Sequence, residues 1–150
     1  METTMLKRVL VPIDSAEAAE EILPIVAALT AAGAAARLVH VAPGQDNVIT
    51  PGGRTVAYAC QAMASIEGQW SDVFAATRAR LDGGAVDHCV RFGDPVPEIL
   101  AEAEAFGADT IIVTTTTGSS VKRALLGSVA EAMLRRAGIA VLLYRPPRDS

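Results

Sequence analysis

Short runs of apolar residues, separated by amphipathic stretches and polar breaks, set the pattern of this chain. The clearest run is Thr110-Ile111-Ile112-Val113, which leads into four threonines, Thr114 to Thr117, and then Gly118-Ser119-Ser120. A helical pattern over about 120–136 follows, and a second apolar run over 139–144 closes the unit. A β-rich run, a polar loop with glycine, a capped helix and another β-rich run predict a right-handed β-α-β crossover, the module of parallel sheets. Open sheets of that kind gather ligands where the carboxyl ends of strands meet helix N-termini, so residues 114–120 are the first place to look for chemistry.

The rest of the chain repeats the alternation. Residues 6–13 contain Val9-Leu10-Val11 and stop near Pro12, which suits a strand end better than a ladder interior. Asp14-Ser15 supplies N-cap chemistry for a helix over about 16–32, with Glu17, Glu20 and Glu21 near its positive end. Ile22, Ile25, Val26 and Leu29 mark its buried stripe, and Pro24 inside that stripe predicts a kink. Gly33 ends the helix, and residues 36–41 read as a second strand. Residues 42–55 lose periodicity and gain Pro43, Gly44, Pro51, Gly52 and Gly53, the composition of a surface loop. A helix over about 56–81 follows, in which Trp70 and Phe74 form an i, i+4 pair that reads as core packing and not as an aromatic box for a cofactor.

A turn at 82–84 leads to a third strand over 85–92. Asp94-Pro95-Val96-Pro97-Glu98 resembles a capping box, although Pro97 holds the N3 position and Glu98 falls one residue late. The helix it opens runs to about Phe106 with Ile99 and Leu100 inward, Gly107 stops it, and Asp109 opens the fourth strand. The order βαβαβαβαβ, with near-continuous apolar runs in the strands, defines an α/β fold: a doubly wound five-stranded parallel sheet with helices on both faces. The strand order 3-2-1-4-5 places Asp14 and Ser15, at the end of the first strand, beside Thr114, where the winding reverses.

Composition narrows the function. The 150 residues, 51% of them hydrophobic, suit one domain over 1–145 with a short tail over 146–150. A net charge of −4 argues against a nucleic-acid partner, which needs a clustered basic surface. Arg78 with Arg80, and Arg135 with Arg136, read as solvated helix faces. Much of the positive mean hydropathy comes from alanine, and no uncharged run reaches the roughly 18 strongly apolar residues of a spanning helix. The first residues, Met1-Glu2-Thr3-Thr4, carry no export signal, so a cytoplasmic protein is expected, with Cys60 and Cys89 as reduced thiols outside any C-x-x-C motif. His40 and His88 fall in separate strands without ligand-like spacing, so no metal site is expected.

Several chemistries lack their motif. No Walker A loop occurs, no G-x-G-x-x-G and no G-x-S-x-G elbow, and a Ser-His-Asp triad would have to use a strand-embedded histidine. What the residues offer is anion binding, from the hydroxyls of residues 114–120 and the free backbone N–H groups at the start of the last helix. The bland alternative is that those hydroxyls only cap the helix and solvate a loop.

Residues 9–15 (Val-Leu-Val-Pro-Ile-Asp-Ser), Leu38-Val39-His40-Val41, Gly93-Asp94-Pro95, and residues 122–131 (Lys-Arg-Ala-Leu-Leu-Gly-Ser-Val-Ala-Glu) together resemble the universal stress protein family. The similarity covers essentially the whole chain in order. The resemblance implies a nucleotide pocket in which Asp14 and Ser15 face the nucleotide, Val41 offers backbone groups to adenine, and Ser128, Val129 and nearby amides hold phosphate. Nucleotide-binding members carry G-x-x-G at the fourth-strand loop, followed after nine residues by G-[ST]. Gly127-Ser128 matches the distal pair, but Thr114 and Thr117 stand at the two earlier glycines, with Gly118 one place late.

Glycine there lets the backbone adopt positive φ close to phosphate oxygens, which a β-branched residue resists. Strain of about 1–3 kcal/mol at each of the two positions would weaken binding by more than about a hundredfold. The expectation is therefore a non-catalytic stress-response or regulatory module with a degenerate nucleotide site that requires no cofactor. The alternative is an ATP-binding switch whose loop holds the phosphates differently. A slow nucleotide hydrolase ranks third, because no base, lysine or metal pair accompanies Asp14 in the loop. The apolar last strand lies at a sheet edge, and the resemblance implies a homodimer through Val141, Leu142, Leu143 and Tyr144.

Overall fold

The structure, a computed structural model, describes residues 6–44, 54–81, 84–114 and 128–146. Among them the chain runs β1 (Arg8–Pro12), α1 (Ala16–Glu21), α2 (Leu23–Ala31), β2 (Ala35–Ala42), α3 (Arg54–Ala79), β3 (Ala85–Phe92), α4 (Pro95–Phe106), β4 (Thr110–Thr114), α5 (Ser128–Arg136) and β5 (Ala140–Tyr144). The strands form one sheet in the order β3-β2-β1-β4-β5, and every pairing is parallel. This is the doubly wound 3-2-1-4-5 order expected from the fold class, which the apolar pattern alone does not set. Thr117, Gly118 and Gly127, the expected helical turns over 120–127, most of the 42–55 loop, residues 82–83 and the end of the tail lie outside the described residues.

Burial follows from strand alternation. Val9, Leu10 and Val11 of the central strand are fully buried. Val9 and Val11 face Ile22, Val26 and Phe74, while Leu10 faces Ile99, Ile111 and Met133. The sheet thus divides two apolar layers, one under α1, α2 and α3 and one under α4 and α5. Each fully buried aliphatic side chain contributes about 1.5–3 kcal/mol, so the middle of the sheet is the most strongly held part of the fold. The ends of β1, β2 and β4 project from that rigid base.

Two helix starts differ from expectation. Residues 16–32 form two helices instead of one kinked helix, because Pro24 near the start of α2 has no N–H to give to the preceding turn, and Ile22 becomes the junction. At α4, Asp94 takes the extended N-cap conformation but makes no side-chain cap hydrogen bond. The expected capping box fails for a local reason: Pro97 at N3 lacks the N–H that such a box uses, and Glu98 turns to Arg91 at 2.7 Å. Gly107 ends α4 at φ 72°, in the left-handed conformation that glycine adopts without a Cβ clash.

The opposite end of the sheet carries a clamp. The Asp109 carboxylate accepts the consecutive N–H groups of Leu6 (2.6 Å), Lys7 (3.0 Å) and Arg8 (2.8 Å), and also the Thr110 hydroxyl (2.8 Å). It holds Leu6 at φ 63°, a conformation rare for a residue with a side chain. Among the described residues, no helix is long and apolar enough to cross a membrane.

Candidate functional site

β1 hands over to α1 on one side of the sheet, and β4 leads toward α5 on the other. The divergence leaves a cavity of about 350 Å³ at the carboxyl ends of the strands. Its floor is the ends of β1, β2 and β4, with Ile13, Val39 and Val113. Pro95 and Ile99 of α4 form one wall, and Ser128, Val129 and Ala130 at the start of α5 form another. Ser128 and Thr114 bring hydroxyl-bearing residues to the cavity lining.

Of the residues singled out from sequence, Asp14, Val41, Thr114, Ser128 and Val129 all line this one cavity. Ser15 lies next to it with its hydroxyl already engaged, accepting from the Ala18 N–H at 3.0 Å as the N-cap of α1. Thr114 ends β4 in register with Tyr144, in extended backbone. Thr117, Gly118 and Gly127 lie outside the described residues. Val141, Leu142, Leu143 and Tyr144 form the edge strand β5, on which Leu143 is exposed, and Leu134 of α5 is exposed as well.

Sequence reasoning left His40 out of the site, having weighed it only as a metal ligand or triad member and as part of the family resemblance at the second strand. It lines the cavity, its Nδ1 lies 2.8 Å from the Ile13 carbonyl oxygen, and its ring stacks on Trp70 with centroids 3.7 Å apart. Burial lowers its pKa, opposed by the Ile13 carbonyl and the Asp14 charge. Trp70 continues to Phe74 (5.4 Å) and Phe74 to His88 (5.2 Å), a row of rings between α3 and the sheet. The pair read as packing does pack, and Phe74 is fully buried. His88 belongs to that row while Cys89 points into the opposite layer, as strand alternation requires. The available signal for His40 was its place at the carboxyl end of an inner strand.

The α4 wall is anchored by charge. Glu102 is buried, with 7% of its side chain exposed, and accepts from Arg37 and Arg91 at 2.6 Å each. Arg37 also grips Asp87 through two bonds (2.8 and 3.1 Å). Arg91 also meets Glu98 at 2.7 Å. Burial disfavours the Glu102 charge, but the two guanidiniums outweigh it and hold its pKa below the usual carboxylate value. Burial and the same carboxylate push the Cys89 thiol up to about 12. Among the described residues, no three His, Cys, Asp or Glu side chains stand together as a metal site.

A parallel sheet in this order, with its cavity where the winding reverses, places the chain in the Rossmann-like α/β class. Within that class it belongs to the universal stress protein family, whose model matches residues 5–145. Universal stress protein MJ0531 of Methanocaldococcus jannaschii is 41% identical over 56 residues, a match that spans 37% of this chain and about a third (33%) of that relative's length. Among solved structures, the hypothetical protein MJ0577, subject of a structure-based assignment of biochemical function, superposes with a TM-score of 0.80 at 25% identity, covering 97% of this chain and all of that one (100%). A universal stress protein from Archaeoglobus fulgidus, solved in complex with dAMP, shares the fold at 18% identity with a TM-score of 0.57, covering 91% of this chain and 95% of that one.

Proposed function

We propose that this chain is a non-catalytic stress-response or regulatory module whose cavity takes an adenine nucleotide weakly, with threonine at two positions where nucleotide-binding relatives carry glycine. The observation that carries this reading is the convergence of Asp14, Val41, Thr114, Ser128 and Val129 on one cavity. A volume of about 350 Å³ is within the range of small-ligand sites. Apolar surfaces of α4 and the strand ends suit a base, and the hydroxyl-bearing residues Thr114 and Ser128 suit a polar or anionic group.

Thr114 supports the weakness. At the place of the first motif glycine, the chain stays in extended backbone paired with Tyr144, and a β-branched side chain lines the cavity. A β-branched residue resists the positive φ that glycine adopts where a loop passes close to phosphate, so tight triphosphate binding is not expected of this sequence. The dAMP-bound relative supports an adenine nucleotide as the ligand class.

Calorimetric titration with ATP and magnesium tests the reading: binding weaker than micromolar is expected, and micromolar binding would replace it with a nucleotide-dependent switch. Steady phosphate release abolished in Asp14→Ala would establish a hydrolase instead. The exposed apolar edge of β5 supports a homodimer through Val141, Leu142, Leu143 and Tyr144 in a cytoplasmic protein. A dimeric mass by light scattering at high protein concentration is expected, and a monomeric mass refutes that part.

A further inference from the structure

We infer that His40 is a positioning residue for the nucleotide cavity: it clamps the Ile13 carbonyl and thereby aims Asp14 at the ligand. The inference rests on the adenine-nucleotide reading above. β1 ends at Pro12, and the next residue, Ile13, has left the ladder, yet β2 engages both of its backbone polar groups. The Ile13 N–H donates to the Val39 carbonyl at 2.8 Å, and the Ile13 carbonyl faces His40 Nδ1 at 2.8 Å. Ile13 is buried and Asp14, the next residue, is exposed and lines the cavity. A buried carbonyl without a donor is unfavourable, and a carboxylate on a loose corner would sample many directions. Fixing the peptide between the two residues removes both costs before a ligand arrives.

The ring is itself held. Trp70 lies nearly parallel to it, with an interplanar angle of 16°, and Phe74 backs Trp70 from the core. A carbonyl can only accept, so Nδ1 carries a proton in the neutral ring and in the cation alike. The clamp therefore persists across the histidine titration, and it requires the Nδ1–H tautomer of the neutral ring. His40 and Asp14 both line the cavity.

Two substitutions separate the hydrogen bond from the stack. His40→Phe keeps a ring against Trp70 and loses the donor, whereas His40→Asn keeps a donor and loses the ring. With AMP as the probe and NMR titration as the readout, His40→Phe should raise Kd about fivefold, the cost of ordering one side chain only when the ligand binds. His40→Asn should bind more tightly than His40→Phe, and His40→Phe should change nothing in an Asp14→Ala background. A merely structural role predicts the reverse: affinity following the melting temperature and a full effect without Asp14. Nitrogen-15 spectra of the unliganded protein should show neutral His40 as the Nδ1–H tautomer, and the Nε2–H tautomer overturns the clamp whatever the affinities. Unaltered protein that binds AMP no better than His40→Phe overturns this inference alone. Unaltered protein that binds no AMP overturns the cavity reading as well.

Discussion

Glu102→Gln keeps the size of a buried side chain and removes the charge that joins two arginines. In the native protein the carboxylate accepts from Arg37 and Arg91 at 2.6 Å each, with 7% of its side chain exposed. An amide there presents an NH₂ group to one guanidinium and has no charge for either. Breaking a buried pair in this way costs about 3–5 kcal/mol when the partner is left stranded. Here neither arginine is stranded: Arg37 keeps Asp87 and Arg91 keeps Glu98, and the arginine side chains are 25% and 31% exposed. Solvent and the second carboxylates reduce the loss to about 2 kcal/mol. For a domain of this size that is about 4–8 °C in melting temperature.

Urea and thermal unfolding at pH 7 measure that difference, and the pH dependence checks its origin. Because the folded-state pKa of Glu102 is lowered, its stabilisation is full above the ordinary value of 4.5 and is lost as pH falls through the carboxylate range. The gap between native protein and variant should therefore close in acid. Cys89 gives a second readout, since burial first and Glu102 next push its thiol up to about 12. Alkylation in the variant should begin at lower pH, with burial still keeping it slow. Equal unfolding midpoints at pH 7 together with an unchanged alkylation profile would refute the reasoning.

The clamp and the histidines make further claims. Asp109→Asn should cost about 2 kcal/mol in urea unfolding, because an amide cannot accept from Leu6, Lys7 and Arg8 as a carboxylate does. An unchanged midpoint would mean that the first strand holds its place without it. His40 and His88 both have lowered pKa values, His40 mainly through burial and His88 through burial and then the Arg78 charge. The unfolded chain thus takes up protons first, so stability should fall as pH drops below about 6.5. Unfolding midpoints at pH 7.5 and pH 5.5 measure this, and replacing both histidines with asparagine should flatten the profile.

The strands were legible because Val9-Leu10-Val11 and Ile111-Ile112-Val113 are buried on both faces and leave no polar position to confuse their period. The crevice followed from topology, and Asp14, Val41, Thr114, Ser128 and Val129 meet there. Glu102 was not legible, since a glutamate between alanines in a helix reads as a solvated face. Its burial depends on arginines from two other strands. The failed cap at Asp94 was partly readable, because Pro97 removes the donor whichever way the side chain points. His40 was hidden by its neighbours: a histidine in an apolar strand reads as core, and only the stack on Trp70 and the Ile13 carbonyl give it a task. Asp109 read as the opening of a strand, and its grip on three N–H groups depends on three residues, Leu6, Lys7 and Arg8, far away in the chain.

The most direct measurement restores the missing glycines. Thr114→Gly with Thr117→Gly returns the G-x-x-G spacing ahead of Gly127-Ser128, and calorimetric titration with ATP and magnesium compares the variant with the native chain. The account predicts weak binding by the native chain and a gain of more than about tenfold in the variant, because glycine can take up the positive φ that threonine resists when phosphate binds. Micromolar binding by the native chain, or equal affinity in the two, would contradict it.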